Sequence, residues 1–337
     1  MNDRGVLSEL ELEWQCECLL CGSQEDGIAV KGIEDYKFKS SKQKWQMIEC
    51  PTCRSLYLSP RPTRSSIIHA YKGYYTHHFS NSSTAPARGL IAALKNGIVS
   101  ERFGADIQPR TKVPFVTAAI SRMLFGRVAR RYRLLPKLKP YAKIMDVGCG
   151  SGKFLRLAKH AKWEAIGIDF DKAAVAAALD EGLNAIVGDI LELDFEKGSF
   201  DVVTFSHSLE HLFEPQGALK RAHELLSPGG CLHLELPNPS ATGRSLFGRH
   251  WKGYDAPRHL HLPNQDALRR ILSEIGFAHI KFHRCGWATG GMFKASNTML
   301  IDAEGAGIGF LPLVVKGLLS SFGPKKNHEF TVVIATK

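Results

Sequence analysis

Four groups of residues in this chain have the types and spacing to do chemistry. The first is Cys18-x2-Cys21 and Cys50-x2-Cys53, with 28 residues, Gly22 to Glu49, between the pairs. Tetrahedral zinc takes four soft thiolates, and a two-residue gap lets one tight turn present two sulfurs to one ion. A complete four-cysteine set leaves no open coordination position, which favours a structural Zn2+ over a site that contacts substrate. Cys16 is a spare thiol that could compete with Cys18. The second group is the glycine turn "DVGCGSGKF", Asp146 to Phe154. A phosphate-binding Walker loop would need Gly at Val147 and a hydroxyl at Phe154, and a dinucleotide fingerprint counted from Gly148 would need Gly at Lys153. What remains is Gly148, Gly150 and Gly152 alternating between a strand and a helix, a turn at which a ligand can touch bare backbone. The third group is His207, Glu210 and His211 in "SFDVVTFSHSLEHL", at i, i+3 and i+4, which meet if the strand exit begins a helical turn. One histidine could be a general base oriented by the carboxylate, or the trio could bind a divalent metal that polarises a hydroxyl. The fourth lies in "GRHWKGYDAPRHLHLPNQ": Trp251 and Tyr254 could stack on sugar or base rings, Arg258 suits a phosphate or carboxylate, and His259 is a second candidate base. The competing reading of that stretch is a packed lid in which Asp255 and Arg258 pair with each other.

These groups need elements to hold them. An apolar run ends in Asp146, and Phe154, Leu155, Leu157 and Ala158 then follow a helical period. "EAIGIDFD" is a second strand ending in Asp169, 19 residues beyond Gly150, where an acidic side chain can accept both hydroxyls of a ribose. "NAIVGDI" is a third, with Asp189 just past its end in position to meet an adenine amino group. The fourth carries His207, "GGCLHLELPNP" is the fifth, and "FTVVIAT" is the last strand. Helical periods in "KAAVAAALDEG", "GALKRAHELL" and "QDALRRILSEIG" separate them. Alternating strand and helix predicts an α/β fold, a Rossmann-like parallel sheet with helices on both faces and ligands outside the strands' carboxyl ends. Upstream, short alternating apolar patches between the cysteine pairs predict a small ribbon sheet.

The 337 residues, 44% apolar and 23% charged, describe a globular chain long enough for one large and one small domain. The expected division is a four-cysteine domain and tyrosine-rich segment over 1–80, a basic helical linker or lid over 81–140 and the α/β domain over 141–337. The acidic start "MNDRGVLSELELEW" does not read as a secretory signal, and a soluble cytoplasmic protein is expected. Much of the formal +11 charge lies between Glu101 and Lys143, including Arg122, Arg127, Arg130 and Arg131. Such a run either faces nucleic acid, anionic lipid or a phosphorylated substrate, or is a solvated helix face. "GFLPLVVKGLLSSFG", Gly309 to Gly323, is either an amphipathic surface helix that approaches a membrane or a core helix before the last strand.

"DVGCGSGKFL", "IGIDFD", "GDI", "FDVVTFSHSLEHL" and "LLSPGG", in that order, resemble class I S-adenosylmethionine-dependent methyltransferases over roughly Ala142 to Lys337. The resemblance implies that Asp146, Gly148, Gly150 and Gly152 hold the methionine end of S-adenosylmethionine, Asp169 the ribose and Asp189 the adenine. The cysteine knuckles, continuing into "SLYLSPRPTRSSIIHAYKGYY", together with the later "GRHWKGYDAPRHLHLPNQDALRRIL", resemble a bacterial subgroup with a zinc-ribbon front end, associated with surface-polysaccharide or sugar modification. The front end is also similar to that of deoxysugar C-methyltransferases, whose tyrosines lie near the cofactor; by that likeness Tyr71, Tyr74 and Tyr75 close over it, and the competing reading is ordinary packing at a domain junction. The function this implies is O- or C-methylation of a saccharide, nucleotide-linked or lipid-linked. The rivals are an RNA methyltransferase and a non-catalytic cofactor-binding scaffold.

Overall fold

The computed structural model describes residues 10–36, 38–71, 90–105, 107, 108, 110, 111 and 132–337. Tyr74, Tyr75 and the arginines 122, 127, 130 and 131 lie outside them. Near the N-terminus, β1 (Leu12–Glu13) and β5 (Arg61–Pro62) pair antiparallel. Between them β2 (Ile28–Ile33), β3 (Trp45–Glu49) and β4 (Leu56–Leu58) form an antiparallel sheet. Its fourth strand comes from far downstream: β11 (His261–Leu262) pairs with β4, His261 opposite Tyr57. This sheet therefore draws on residues on both sides of the expected boundary at residue 80.

After α1 (Leu90–Phe103) the main sheet begins with β6 (Lys143–Val147), α2 (Lys153–His160), β7 (Glu164–Asp169), α3 (Lys172–Asp180) and β8 (Ala185–Val187). The chain then crosses to the other side of β6 for β9 (Phe200–Ser206), α4 (Pro215–Leu225) and β10 (Leu226–Pro237). These five strands are parallel. The reversal of direction about β6 opens a crevice at the carboxyl ends of β6 and β9, where open α/β sheets bind ligands. One layer of the core buries Phe154, Ala158 and Trp163 against Ile144 and Val202. On the opposite face α4 and α6 (Gln265–Ile275) press Leu219, Ala222, Leu268 and Leu272 against Val203, Phe205 and Leu234.

Two features depart from the expected all-parallel sheet. The last strand, β13 (Phe330–Thr336), runs antiparallel to β10 and to a seventh strand, β12 (Ala278–His283). β12, "AHIKFH", is a half-exposed edge strand of six residues whose short alternation of Ala278, Ile280 and Phe282 is interrupted in its pairing by a register shift between Ala278 and Lys281. The sheet is therefore mixed, in order β12-β13-β10-β9-β6-β7-β8.

Beside the front sheet pack α5 (Thr242–Phe247) and the helical pair α7 (Thr289–Glu304) and α8 (Phe310–Phe322). The core-helix alternative for Gly309 to Gly323 is overturned. In α8 only Gly317 and Ser320 are buried, while Phe310 is 83% and Phe322 80% exposed.

Candidate active site

The glycine turn follows β6 directly, at the crevice. Gly148, Gly150 and Gly152 all have positive φ, the left-handed region that side chains rarely adopt. Packing adds a second constraint: a Cβ on Gly148 would come within 2.4 Å of Ser208 Cβ, and one on Gly152 within 2.4 Å of Leu183 Cδ1. Asp169, at the end of β7, accepts from Gly150 N at 2.8 Å through Oδ2 and from Asp171 N at 3.0 Å through Oδ1. Burial pushes its carboxyl up, and the amides of Asp171 and Gly150 pull against that. Each oxygen has lone pairs left for a further donor. Asp189 accepts from Leu191 N at 3.0 Å, with Arg64 Nη1 4.0 Å away. Phe170, half exposed after Asp169, meets Tyr71 edge-on at 5.0 Å.

Asp146 is placed differently from the implied contact with a ligand's methionine end. It is fully buried, and its carboxylate is bound by both terminal nitrogens of Arg133 and, at 2.9 Å, by the Thr204 hydroxyl. Arg133 in turn lies 3.9 Å over the Phe154 ring. The carboxylate thus fastens the segment before β6 to the start of α2.

At the exit of β9 a 3-10 turn, Leu209–His211, begins one residue after Ser208, whose hydroxyl donates to Val147 O at 2.6 Å. His207 takes φ +56, an unusual conformation for a non-glycine residue, and its amide donates to Glu235 O at 2.7 Å. Its imidazole stands 3.6 Å from Glu210 and 3.6 Å from Glu235. Burial alone would lower its pKa, but the two carboxylates raise it to about 9. At neutral pH His207 is therefore a cation, the form that cannot accept a proton, which sets its chemistry apart from that of a general base. Burial pushes Glu210 up, and His207, His211 and His259 outweigh it to leave its pKa at about 2.

The other two histidines are differently set. His211 Nδ1 lies 3.0 Å from both the Arg258 carbonyl and the Tyr71 hydroxyl. A carbonyl only accepts, so Nδ1 carries the proton and Nε2 holds the lone pair. His259 is fixed the same way, Nδ1 donating to Gly253 O at 2.9 Å, with Nε2 4.0 Å from Glu210. Burial lowers the His259 pKa to about 3. Glu210, His211 and His259 each bring one ligand atom into a group no more than 4.8 Å across. Both Glu210 oxygens are buried without a hydrogen-bond partner among the described residues.

The loop from Trp251 to His261 is packed rather than open, which corrects three expectations. Trp251 and Tyr254 are core residues: Trp251 Nε1 donates to Glu329 at 2.8 Å and the Tyr254 hydroxyl accepts from Arg244 at 3.1 Å. They fill the space between the front sheet and α7, so neither has a free face for a sugar. Arg258 is buried too. It clasps Asp35 with both terminal nitrogens, at 2.7 and 3.2 Å, and reaches Asp255 at 3.2 Å. Its guanidinium is consumed inside the protein, tying the front sheet's β2–β3 loop to the segment that carries His259.

The four cysteines behave as a set. Cys18 and Cys53 sulfurs are 3.5 Å apart, as are those of Cys21 and Cys50, and all four lie within 4.8 Å. A tetrahedron of sulfurs at about 2.3 Å from zinc has edges of roughly 3.8 Å, so the donor set fits that ion. Each knuckle folds alike: Gly22 N donates to Cys18 O at 2.8 Å and Arg54 N to Cys50 O at 2.9 Å, both residues at positive φ. Cys16 is exposed and outside the group.

Sequence reasoning missed Asp35, Tyr71 as a partner of His211, and Arg133. None carries a local signal, because each meets its partner only through the fold. A cavity of about 490 Å³ opens at the amino ends of β6 and β7, against Lys143, Lys159 and Trp163, away from the glycine turn.

Residues 121–281 match the family model of a methyltransferase domain. The chain is 29% identical over 169 residues to a ubiquinone/menaquinone biosynthesis C-methyltransferase of Roseobacter denitrificans, covering 42% of this chain and 68% of that protein. It is 31% identical over 126 residues to a demethylmenaquinone methyltransferase of Corynebacterium glutamicum, covering 37% of this chain and 54% of the relative. A solved SAM-dependent methyltransferase from Archaeoglobus fulgidus superposes with a TM-score of 0.46 at 23% identity, over 64% of this chain and 94% of that one.

Proposed function

We propose that this chain, which carries a class I S-adenosylmethionine-dependent methyltransferase domain, methylates a hydroxyl or carbon of a nucleotide-linked or lipid-linked saccharide, with a histidine as general base. One observation carries the reading: the glycine turn, cross-tied by Asp169, abuts Ser208 and the Glu210–His211 turn, so cofactor and acceptor groups share one crevice. S-adenosylmethionine supplies an electrophilic methyl on a sulfonium. In this reading the bare backbone of Gly148 to Gly152 receives its methionine end, Asp169 its ribose and Asp189 its adenine. His211 Nε2 takes the proton from the acceptor, while Arg258 O and Tyr71 hold the ring in the required tautomer. His207 contributes a fixed positive charge. Alignment of nucleophile and methyl supplies much of the remaining acceleration. The curated relatives are named as C-methyltransferases or quinone methyltransferases, which keeps a carbon nucleophile within the reading.

A second reading is favoured by the buried Glu210 carboxylate, whose oxygens accept no hydrogen bond among the described residues: Glu210, His211 and His259 hold a divalent cation that lowers the pKa of an acceptor hydroxyl. Both histidines have Nδ1 donated to a backbone carbonyl, the arrangement that prepares Nε2 for a metal. The test is transfer of radiolabel from methyl-labelled cofactor to bacterial saccharide extracts, nucleotide sugars, lipid-linked glycans, quinone extracts and total RNA, with and without a chelator. Labelled saccharide that survives chelation supports the base mechanism, and loss on chelation with recovery on adding Mg2+ or Mn2+ supports the metal. Label confined to RNA or quinones would sink the saccharide assignment.

A further inference from the structure

We propose that α8 is a docking element that seats the protein on an anionic phospholipid surface. This goes beyond the methyl-transfer reading and stands on separate observations. Phe310, Leu311, Val314, Val315, Leu318, Leu319 and Phe322 recur at i, i+1, i+4, i+5, i+8, i+9 and i+12, one continuous helical face, and all are exposed, Leu311 at 70% and Leu319 at 69%. Such a stripe normally faces a core. Here the core side of the helix is the other one: Gly317 lies against Phe293, Ser320 is buried, and the Ser321 hydroxyl donates to Gly286 O at 2.9 Å.

Length and charge identify the occupant. Thirteen residues at 1.5 Å each give about 20 Å, against roughly 30 Å of hydrocarbon, so the helix can lie in an interface and cannot cross it. No acidic residue occurs between Glu304 and Glu329, whereas Lys316, Lys325 and Lys326 do, all exposed. Exposed Arg284 adds to the basic end, its Nη1 on the carbonyls of Phe322 and Gly323 at 3.3 Å. The acids that precede the helix in the chain are engaged on α7, Asp302 with the Tyr36 hydroxyl and Glu304 with Arg249 and His250. An apolar stripe with a wholly cationic rim matches acyl chains beneath anionic head groups. A second copy of the same face would instead bring like charges together. Docking would also set the acceptor crevice near the lipid. α8 packs on α7, and Ser296 of α7 accepts from Lys252 N at 2.9 Å in the loop leading to His259.

The experiment is co-sedimentation of the full chain with vesicles of phosphatidylcholine alone or mixed with phosphatidylglycerol. Wild type should pellet with the anionic vesicles and be released by high salt. Leu311→Gln/Leu318→Gln/Leu319→Gln, at exposed positions, and Lys316→Glu/Lys325→Glu/Lys326→Glu should each weaken binding at least about tenfold. Cofactor binding, measured in parallel, should be unchanged in both, which separates failure of docking from failure of the enzyme reading. Wild type that stays in the supernatant, or glutamine variants that pellet as well as wild type, would overturn the proposal. So would a concentration-dependent dimer that the glutamine variants abolish while vesicles bind neither protein.

Discussion

Replacing Asp35 with asparagine should destabilise the protein and slow it, although Asp35 lies in the front sheet's loop and touches no residue of the proposed catalytic group. The carboxylate is buried, takes both terminal nitrogens of Arg258, and also accepts from Ser40 N at 2.8 Å. Removing one partner of a buried ion pair costs about 3–5 kcal/mol, because a charge remains without compensation. Arg258 keeps Asp255 at 3.2 Å and the Ala70 carbonyl at 3.1 Å, so the low end, about 3 kcal/mol, is expected. For a chain of 337 residues that lowers the melting temperature by roughly 4 °C. Activity should fall as well, since the Arg258 carbonyl fixes the His211 ring and His259 is the next residue. Thermal and urea unfolding read the first effect, and turnover at saturating cofactor reads the second. The double variant Asp35→Leu/Arg258→Met should be more stable than Asp35→Leu alone, because Lys252 still pairs Asp255 after the arginine is gone. A loss below about 1 kcal/mol in Asp35→Asn, or a double variant no better than the single, would refute the buried-pair argument.

Metal analysis of protein purified under reducing conditions should find one zinc per chain, lost when Cys18 and Cys50 are both changed to serine. Gly148→Ala should cost about 1–2 kcal/mol for its φ of +77 and about 1–3 more for the Ser208 clash, and should weaken cofactor binding measured by calorimetry. Gly229→Ala, at φ +76 with open space, should show the backbone cost alone, so equal losses in the two would remove the packing argument. Stability should depend on pH through the histidine group. The raised pKa of His207 gives a contribution that is full below about 6.5 and lost as pH rises through about 9, and His207→Gln should flatten the curve there. The lowered pKa of His259 acts oppositely: stability falls as pH drops from about 6.5 towards 3, because the unfolded chain takes up a proton that the fold excludes. Glu210, lowered to about 2, adds a contribution present above about 4.5 and lost below it. His211→Ala should reduce turnover far more than cofactor affinity, and near-normal turnover would remove it as the base.

Much of the catalytic sheet was legible because its signals are local. An apolar run, a glycine turn and a helical period fall within about twenty residues, and their order gives the crevice. The cysteine knuckles are equally local in their spacing, although nothing in the sequence marks Arg54 for the left-handed position that Gly22 fills in the other. What escaped is long-range or two-sided. Arg258 looked like an anion receptor because its partner Asp35 is far away in the chain, and Trp251 and Tyr254 looked like stacking platforms because a sequence does not tell a buried aromatic from an exposed one. The stripe in α8 read equally well as core or surface, since periodicity identifies an apolar face without saying what covers it.

The pairing of β11 with β4 has a consequence for biosynthesis. When the N-terminal residues leave the ribosome they can form both cysteine knuckles, but the front sheet lacks its edge until residues 261–262 have been made. Until then β4 presents unpaired backbone groups and a buried-type sequence, "LYL", to solvent, the kind of edge that invites pairing with other chains. A nascent chain stalled within the main sheet should therefore aggregate through its front end, and a metal ion held early by the four cysteines would limit the damage by keeping that end in register. The same topology argues against cutting the protein at residue 80 to obtain two working halves. The C-terminal piece would carry His259 on a segment whose sheet partner and whose Asp35 had been left behind on the other fragment.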